Sequence, residues 1–144
     1  MVNDVADELV DDRVKDDVVK DDGGVQMRDP RDETFVQERP WGQFEQFVSN
    51  ERVTVKIITV QPGHRLSLQT HENRGEFWQV LDGPMEVTVG DRTWVAASGE
   101  KVWAPQGSVH RMANHGDAPG RMLEVAFGDF DEADIVRLQD DYAR

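Results

Sequence analysis

Short segments in which apolar and polar residues alternate run through the middle of the chain, and turn residues separate them. Alternation with a period of two puts the apolar side chains of a strand on one face. The pattern predicts nine strands: 43–49, 52–60, 66–71, 76–81, 85–89, 93–96, 101–104, 110–114 and 121–127. Pairs such as Pro62-Gly63 and Gly90-Asp91 supply the turns between them. Many short strands without intervening helices predict an all-β sandwich or barrel.

The end of the chain has a different pattern, which predicts a short C-terminal helix over residues 132–142. Asp131 is a suitable N-cap, and Ala133, Val136 and Leu138 offer a modest apolar face. No internal repeat and no glycine-rich phosphate loop interrupts the predicted strands, which argues against a nucleotide-transfer domain.

The first quarter of the chain is strongly acidic. Residues 1–34 carry 12 acidic and 5 basic side chains and repeat a pattern of valine next to acidic pairs. This composition predicts a disordered tail over residues 1–34, followed by one folded domain over residues 35–144. The apolar residues at positions 6, 10, 14 and 18 lie four apart, so an acidic amphipathic helix over residues 5–20 is the alternative.

Charge and composition exclude several classes of protein. The net charge of −13 disfavours nucleic acid and anionic lipid as partners, and no apolar run is long enough for a membrane span. The absence of cysteine excludes disulfides and thiolate chemistry. The start of the chain lacks the basic and apolar regions of a secretory signal, so we expect a cytoplasmic protein. Since just 4 of the 16 basic residues are lysine, the acidic composition also suits a salt-rich, halophilic cytoplasm.

Candidate chemistry is concentrated in two stretches, GHRLSLQTHENRGEFWQVLDG at 63–83 and GEKVWAPQGSVHRMAN at 99–114. They resemble the two cupin motifs, with Gln69 where the first motif usually has its first histidine. The resemblance implies a cupin fold, a double-stranded β-helix or jelly-roll barrel. Gln69 and His71 are two residues apart and share a strand face, while Glu76 and His110 come from other strands.

Further segments narrow the resemblance: ERPWGQFEQF at 38–47, RGEFW at 74–78, PQGSVHRMAN at 105–114 and LEVAFG at 123–128. They are similar to the type II mannose-6-phosphate isomerases, in which this cupin commonly follows a mannose-1-phosphate guanylyltransferase domain. The resemblance implies a metal-dependent isomerase that interconverts mannose 6-phosphate and fructose 6-phosphate, in enzymes that make GDP-mannose for polysaccharides. It covers residues 38–144 and leaves the acidic tail unexplained.

The cupin resemblance also implies one divalent metal held by Gln69, His71, Glu76 and His110. Zinc is our first expectation because related isomerases hold zinc with a similar Gln, His, Glu, His set. Two imidazoles and two oxygens also suit manganese, cobalt, nickel or iron. We expect His64 and His115, beside turn residues, to lie on the surface.

Several residues near the ligands are candidates for substrate binding and catalysis. The isomerisation needs a cation for the phosphate and a base for the C2 proton. Arg74, Arg111 and Lys56 are the candidate phosphate ligands, and Trp78 could also stack on the sugar. Glu72 or Lys56 would serve as the base, with Arg74 as the third candidate catalytic residue.

The chain departs from the family at positions that could handle protons. The family usually has three consecutive histidines where this chain has His71-Glu72-Asn73, a histidine at Phe77, and glutamine at Ala126. The alternative function is therefore a non-catalytic metal-binding cupin that binds a sugar phosphate or a nucleotide sugar. An iron dioxygenase is a third class that the flanking sequence disfavours. By analogy with cupins that pair through barrel edges, we expect a homodimer.

Overall fold

The computed structural model describes residues 20–21, 24–25 and 27–142. Most of the predicted disordered tail over residues 1–34, and nearly all of the alternative helix over residues 5–20, therefore lie outside the described residues. No helix among the described residues is long and apolar enough to cross a membrane.

The described residues form thirteen β-strands and one short 3-10 helix, Pro30–Glu33. The strands are β1 (Lys20–Asp21), β2 (Gly24–Val25), β3 (Phe35–Arg39), β4 (Gly42–Gln46), β5 (Val53–Val60), β6 (Leu68–Thr70), β7 (Arg74–Asp82), β8 (Met85–Val89), β9 (Arg92–Ala96), β10 (Lys101–Ala104), β11 (His110–Ala113), β12 (Gly120–Gly128) and β13 (Val136–Gln139). The nine predicted strands correspond to β4 through β12. The all-β prediction is thus confirmed.

Two antiparallel sheets make the body of the domain. One has the strand order β10-β7-β12-β5, and the other has the order β13-β6-β11-β8-β9. The apolar side chains between them come from both sheets, including Trp78 and Met122 from the first and Val87 and Met112 from the second. This two-sheet arrangement is the jelly roll that the cupin resemblance implies.

A second apolar cluster lies on the outer face of the four-stranded sheet. Phe77, Trp103 and Val125 form its buried centre, and Met27 and Phe47 pack against it. The 3-10 helix lies against β10, and its Pro30 is buried. Residues 27–34, which the sequence assigns to the tail, therefore contact the folded domain.

The predicted C-terminal helix over residues 132–142 is wrong. Residues Val136–Gln139 form β13, which pairs with β6 at the edge of the five-stranded sheet. Asp131 caps a tight turn instead of a helix, because its carboxylate accepts a hydrogen bond from the Ala133 N–H at 2.9 Å. Two apolar residues spaced two apart, Val136 and Leu138, suit a strand once β6 offers backbone partners.

Candidate metal centre

Three side chains of the types that bind metals meet inside the domain. His71 follows β6, Glu76 lies in β7, and His110 begins β11. They are 1%, 2% and 3% exposed, and one ligand atom from each lies within 4.8 Å of the others. Glu76 faces inward because it is two residues from Trp78, which belongs to the core between the sheets.

Backbone carbonyls fix the direction of both imidazoles. His71 Nδ1 donates to the carbonyl oxygen of Asp134 at 2.6 Å, and His110 Nδ1 donates to that of Ser108 at 3.0 Å. A neutral ring that carries its proton on Nδ1 presents the lone pair of Nε2. Metal-binding histidines are commonly oriented in this way, by a hydrogen bond from the other ring nitrogen.

The donor set fits a divalent cation. His110 Nε2 is buried and has no hydrogen-bond partner among the described residues. It lies 3.4 Å from Glu76 Oε2, and His71 Nε2 lies 3.0 Å from Oε1. Lone pairs this close to an anionic oxygen repel it unless a proton or a metal cation lies between them. Zinc–donor distances of about 2.0–2.2 Å put two ligands of one tetrahedral ion roughly 3.3–3.6 Å apart, so little movement would be needed.

The Glu76 carboxylate is held in its ionised form. Burial alone would raise the pKa of Glu76, but the N–H groups and positive charge that His110 and His71 supply when their rings are protonated hold this pKa well below its usual range. A bound cation would act on the carboxylate in the same direction. Trp78 Nε1 donates to Oε2 at 3.1 Å, and Arg74 Nε donates to Oε1 at 3.3 Å. The carboxylate is therefore both charged and oriented, as a metal ligand must be.

Gln69 lies beside the three ligands and directly opposite His110 in the β6–β11 pair. Its Nε2 is 3.2 Å from His71 Nε2, while its Oε1 accepts a hydrogen bond from Ser67 Oγ at 2.7 Å. Turning the amide by 180° would direct Oε1 to the centre. The hydrogen bond to Ser67 would survive, because the Ser67 hydroxyl can accept from Nε2 as well as donate. The position suits the fourth ligand predicted from the sequence, and that role stays a prediction.

Arg74 is a buried neighbour of the ligands rather than a residue of the rim. It is 5% exposed, and its Nη2 lies 3.2 Å from His71 Nε2. Its Nη1 donates to the carbonyl oxygen of Asp131 at 3.0 Å. The guanidinium carbon lies 4.4 Å from the centre of the Phe130 ring. A cation in this position can contact any anionic or polar group that reaches the metal centre.

This centre lies within a recognised domain family. The sequence model described as "Mannose-6-phosphate isomerase C-terminal" matches residues 27–140. The chain belongs to that family.

Curated relatives of this family member are longer proteins. It is 44% identical over 107 residues to "Alginate biosynthesis protein AlgA" of Pseudomonas aeruginosa, and the match covers 74% of this chain and 22% of AlgA. It is 41% identical over 105 residues to "Mannose-1-phosphate guanylyltransferase 2" of Escherichia coli O157:H7. That match covers 72% of this chain and 22% of the relative. The matched region thus spans about a fifth of the length of these relatives.

Solved structures confirm the cupin fold of this family member. The oxalate decarboxylase of Bacillus subtilis, a protein with Mn(II) centres, is 27% identical, with a TM-score of 0.55 over 61% of this chain and 24% of that one. The capsular polysaccharide assembling protein CapF of Staphylococcus aureus is 22% identical, with a TM-score of 0.55. The match covers 74% of this chain and 34% of CapF. The second similarity bears on the fold alone.

A buried carboxylate that the sequence analysis did not single out lies next to the ligands. Glu124 of β12 is 6% exposed and pairs with Trp78 of β7 on one side and Lys56 of β5 on the other. Burial, and secondarily the charge and hydrogen bonding of Glu76, raise the pKa of Glu124 to about 8. Leu123 and Val125 belong to the outer cluster, so strand alternation could have assigned Glu124 to the inner face.

Lys56 contacts the same aromatic ring as Arg74 in this family member. Its Nζ is 4.1 Å from the centre of the Phe130 ring, the same ring that Arg74 contacts, and 3.1 Å from Glu132 Oε1. Its side chain is 37% exposed, so it can reach solvent and a ligand.

Three other predicted site residues do not lie where their predicted roles would need them. Trp78 is 1% exposed and lies behind the Glu76 carboxylate, where no sugar can stack on it. The Arg111 guanidinium binds Gln139 Oε1 at 2.7 Å, in an exposed contact outside the metal centre. Glu72 is exposed. His64 and His115 are exposed, as predicted.

Proposed function

We propose that this chain is a metal-dependent isomerase that interconverts mannose 6-phosphate and fructose 6-phosphate. The observation that supports it best is the buried His71–Glu76–His110 centre, with Arg74 3.3 Å from Glu76, in a domain of the mannose-6-phosphate isomerase C-terminal family. Zinc is the metal we assign, since neutral imidazoles and a carboxylate suit it, although the same donors accept manganese, cobalt, nickel or iron.

A bound divalent ion would polarise the C1 and C2 oxygens of the open-chain sugar. His71, Glu76 and His110 would hold it, with Gln69 as the fourth ligand. Arg74 would donate hydrogen bonds to the same sugar oxygens, because its guanidinium lies 3.2–3.3 Å from ligand atoms. Such a fixed donor stabilises the negative charge that develops on an oxygen during the reaction.

The phosphate would lie further out, at the mouth of the site. Lys56 is the cation that reaches this region, and Phe130 holds both Lys56 and Arg74 in place. Lys56 would bind the dianionic phosphate by charge-assisted hydrogen bonds, and the positive charge of Arg74 further in would add to the attraction within an otherwise acidic protein. Arg111, which already binds Gln139, is a weaker candidate for this contact.

Proton transfer requires a base beside C1 and C2. Glu124 is the inward carboxylate next to Glu76, so on position alone it replaces the exposed Glu72 as our assignment. Glu124 would act in its ionised form, which a cation bound at Glu76 would favour by offsetting the charge of that carboxylate. It would take the proton from C2, leaving an enediolate, and the carboxylic acid so formed would return the proton to C1. A second proton would pass between O1 and O2 to complete the exchange of aldehyde and ketone.

One observation favours the alternative of a non-catalytic cupin that binds a sugar phosphate or a nucleotide sugar. Ala126 is buried directly opposite Glu76 in the β12–β7 pair, where the family tends to carry glutamine. A methyl group at this position can neither donate nor accept a hydrogen bond. The alternative site would keep its ligands and lack part of the polar equipment for catalysis.

A coupled assay for fructose 6-phosphate separates the two functions. The metal-loaded protein should convert mannose 6-phosphate. At saturating metal, Arg74→Lys should lower turnover about ten- to a hundred-fold with the metal site fully occupied, because lysine lacks the guanidinium fork. Arg121→Lys is the matched control, since Arg121 is an exposed partner of Asp82. A parent that binds the sugar phosphate without converting it, with each of the five metals, supports the binding module instead.

Two relatives of this chain are named for alginate and xanthan biosynthesis, which supports our proposal that it too acts in polysaccharide biosynthesis. The cytoplasmic location and the homodimer remain predictions. Light scattering on the purified chain measures the second directly, and a mass of 16.4 kDa would contradict it.

A further inference from the structure

The segment that follows β12 folds back over the metal centre. Phe130 packs under the Arg74 guanidinium, and the carbonyl oxygen of Asp131 accepts a hydrogen bond from it. Beyond Asp134, β13 pairs with β6, the strand that leads into His71. The C-terminal segment is therefore anchored on both sides of the ligand His71.

Asp134 contacts the ligand and the turn after it through different groups. Its carbonyl oxygen accepts from His71 Nδ1 at 2.6 Å. Its carboxylate oxygens accept from the backbone N–H groups of Glu72 and Asn73, each at 2.9 Å. The turn thus held connects two ligands, since His71 lies before it and Glu76 lies after it.

We propose that Asp134 is a positioning residue of the metal centre: it fixes His71 through its carbonyl oxygen and fixes the His71–Glu76 connection through its carboxylate. The inference rests on the metal centre of the proposed function and does not depend on the substrate. Its consequence is that the C-terminal segment, 63 residues away along the chain, sets the metal affinity.

The physical reason is the geometry that a metal demands. The hydrogen bond to Nδ1 keeps the ring in the tautomer and orientation that direct Nε2 to the centre. The Asp134 carboxylate, held by the turn after His71, keeps the Asp134 carbonyl oxygen aligned with the His71 ring, because both groups belong to one residue. The N–H groups of Glu72 and Asn73 lie on exposed residues, so water can replace the carboxylate and the domain should still fold.

The test compares Asp134→Ala and Asp134→Asn with the parent chain. Zn²⁺ affinity is measured by competition with a chelator, and Co²⁺ absorption spectra report the coordination geometry. Asp134→Ala should bind zinc ten- to a hundred-fold more weakly and show an altered cobalt spectrum. Asp134→Asn should lie between, because its amide oxygen can still accept one of the two N–H groups. Asp129→Ala is the control, since it removes the same charge from an 86% exposed side chain in the same segment.

Hydrogen exchange supplies a measurement in the metal-free protein. The amides of Glu72 and Asn73 should exchange slowly in the parent and Asp129→Ala, and faster in Asp134→Ala. If Asp134 had a merely structural role, its two variants would melt at a lower temperature in the metal-free form, and the zinc affinity of the folded protein would be unchanged. Zinc affinity within two-fold of the parent in both Asp134 variants would overturn the proposal, as would a parent that binds no metal. Absence of isomerase activity, by contrast, would leave it standing.

Discussion

Trp78→Phe tests whether the hydrogen bond behind the ligand carboxylate contributes to metal affinity. The substitution keeps an aromatic ring in the core and removes the indole N–H that donates to Glu76 Oε2 at 3.1 Å. A hydrogen bond to a charged group contributes about 1.5–3 kcal/mol, which corresponds to roughly ten- to a hundred-fold in a binding constant. The loss of an outer partner of a metal ligand typically has an effect of the same size. We therefore expect zinc affinity to fall by that factor.

The chain offers a matched control in Trp94. Its indole N–H also donates to a carboxylate, Glu100 Oε2 at 2.6 Å, but this pair lies outside the metal centre. Trp94→Phe should leave zinc affinity unchanged in the same chelator competition. Melting curves of the metal-free proteins would separate any loss of packing from the loss of affinity. Equal zinc affinity for the parent and Trp78→Phe would refute the reasoning, and so would an equal fall in Trp94→Phe.

Three further predictions concern the ligands, the N-terminal segment and salt. His71→Ala and His110→Ala should each abolish stoichiometric metal binding, whereas Gln69→Ala should weaken it least. Elemental analysis measures the metal content of each variant, and full occupancy in the double histidine variant would contradict the assignment. Deletion of residues 1–26 should leave the melting temperature unchanged. Deletion of residues 1–34 should lower the melting temperature without changing metal content, because Met27 and Pro30 pack on the domain. Equal melting temperatures of the two deletion variants would contradict this. Melting temperature should rise with KCl as self-repulsion is screened, and a flat or falling trend would count against a halophilic origin.

The strands were predictable because their information is local. Alternation along β5 and β8 and the turn residues between strands need no knowledge of distant partners. The strand β13 was missed because Val136 and Leu138 form too short a pattern to distinguish a strand from a helix. Pairing with β6 decides that difference, and β6 lies more than 60 residues earlier in the chain.

The meeting of His71, Glu76 and His110 was predictable, and the residues around them were not. Spacing within two motifs picks out His71, Glu76 and His110. Alternation could assign Glu124 to the inner face, but its place beside Glu76 depends on strand order. Asp134 reaches the centre through a returning segment, which leaves no local signature. Trp78 shows the same limit in another way, since alternation correctly puts it on the face of Glu76 but does not reveal that it lies behind the carboxylate.

Deuterium exchange at C2 of mannose 6-phosphate tests the central claim most directly, because it detects proton removal even when net conversion is slow. The metal-loaded protein is incubated with the sugar phosphate in D₂O, at low and molar salt, and C2 is followed by NMR. Deuterium should enter at C2 with the parent and not with the His71→Ala, His110→Ala double variant. Neither exchange nor conversion with zinc, manganese, cobalt, nickel or iron would contradict the isomerase assignment.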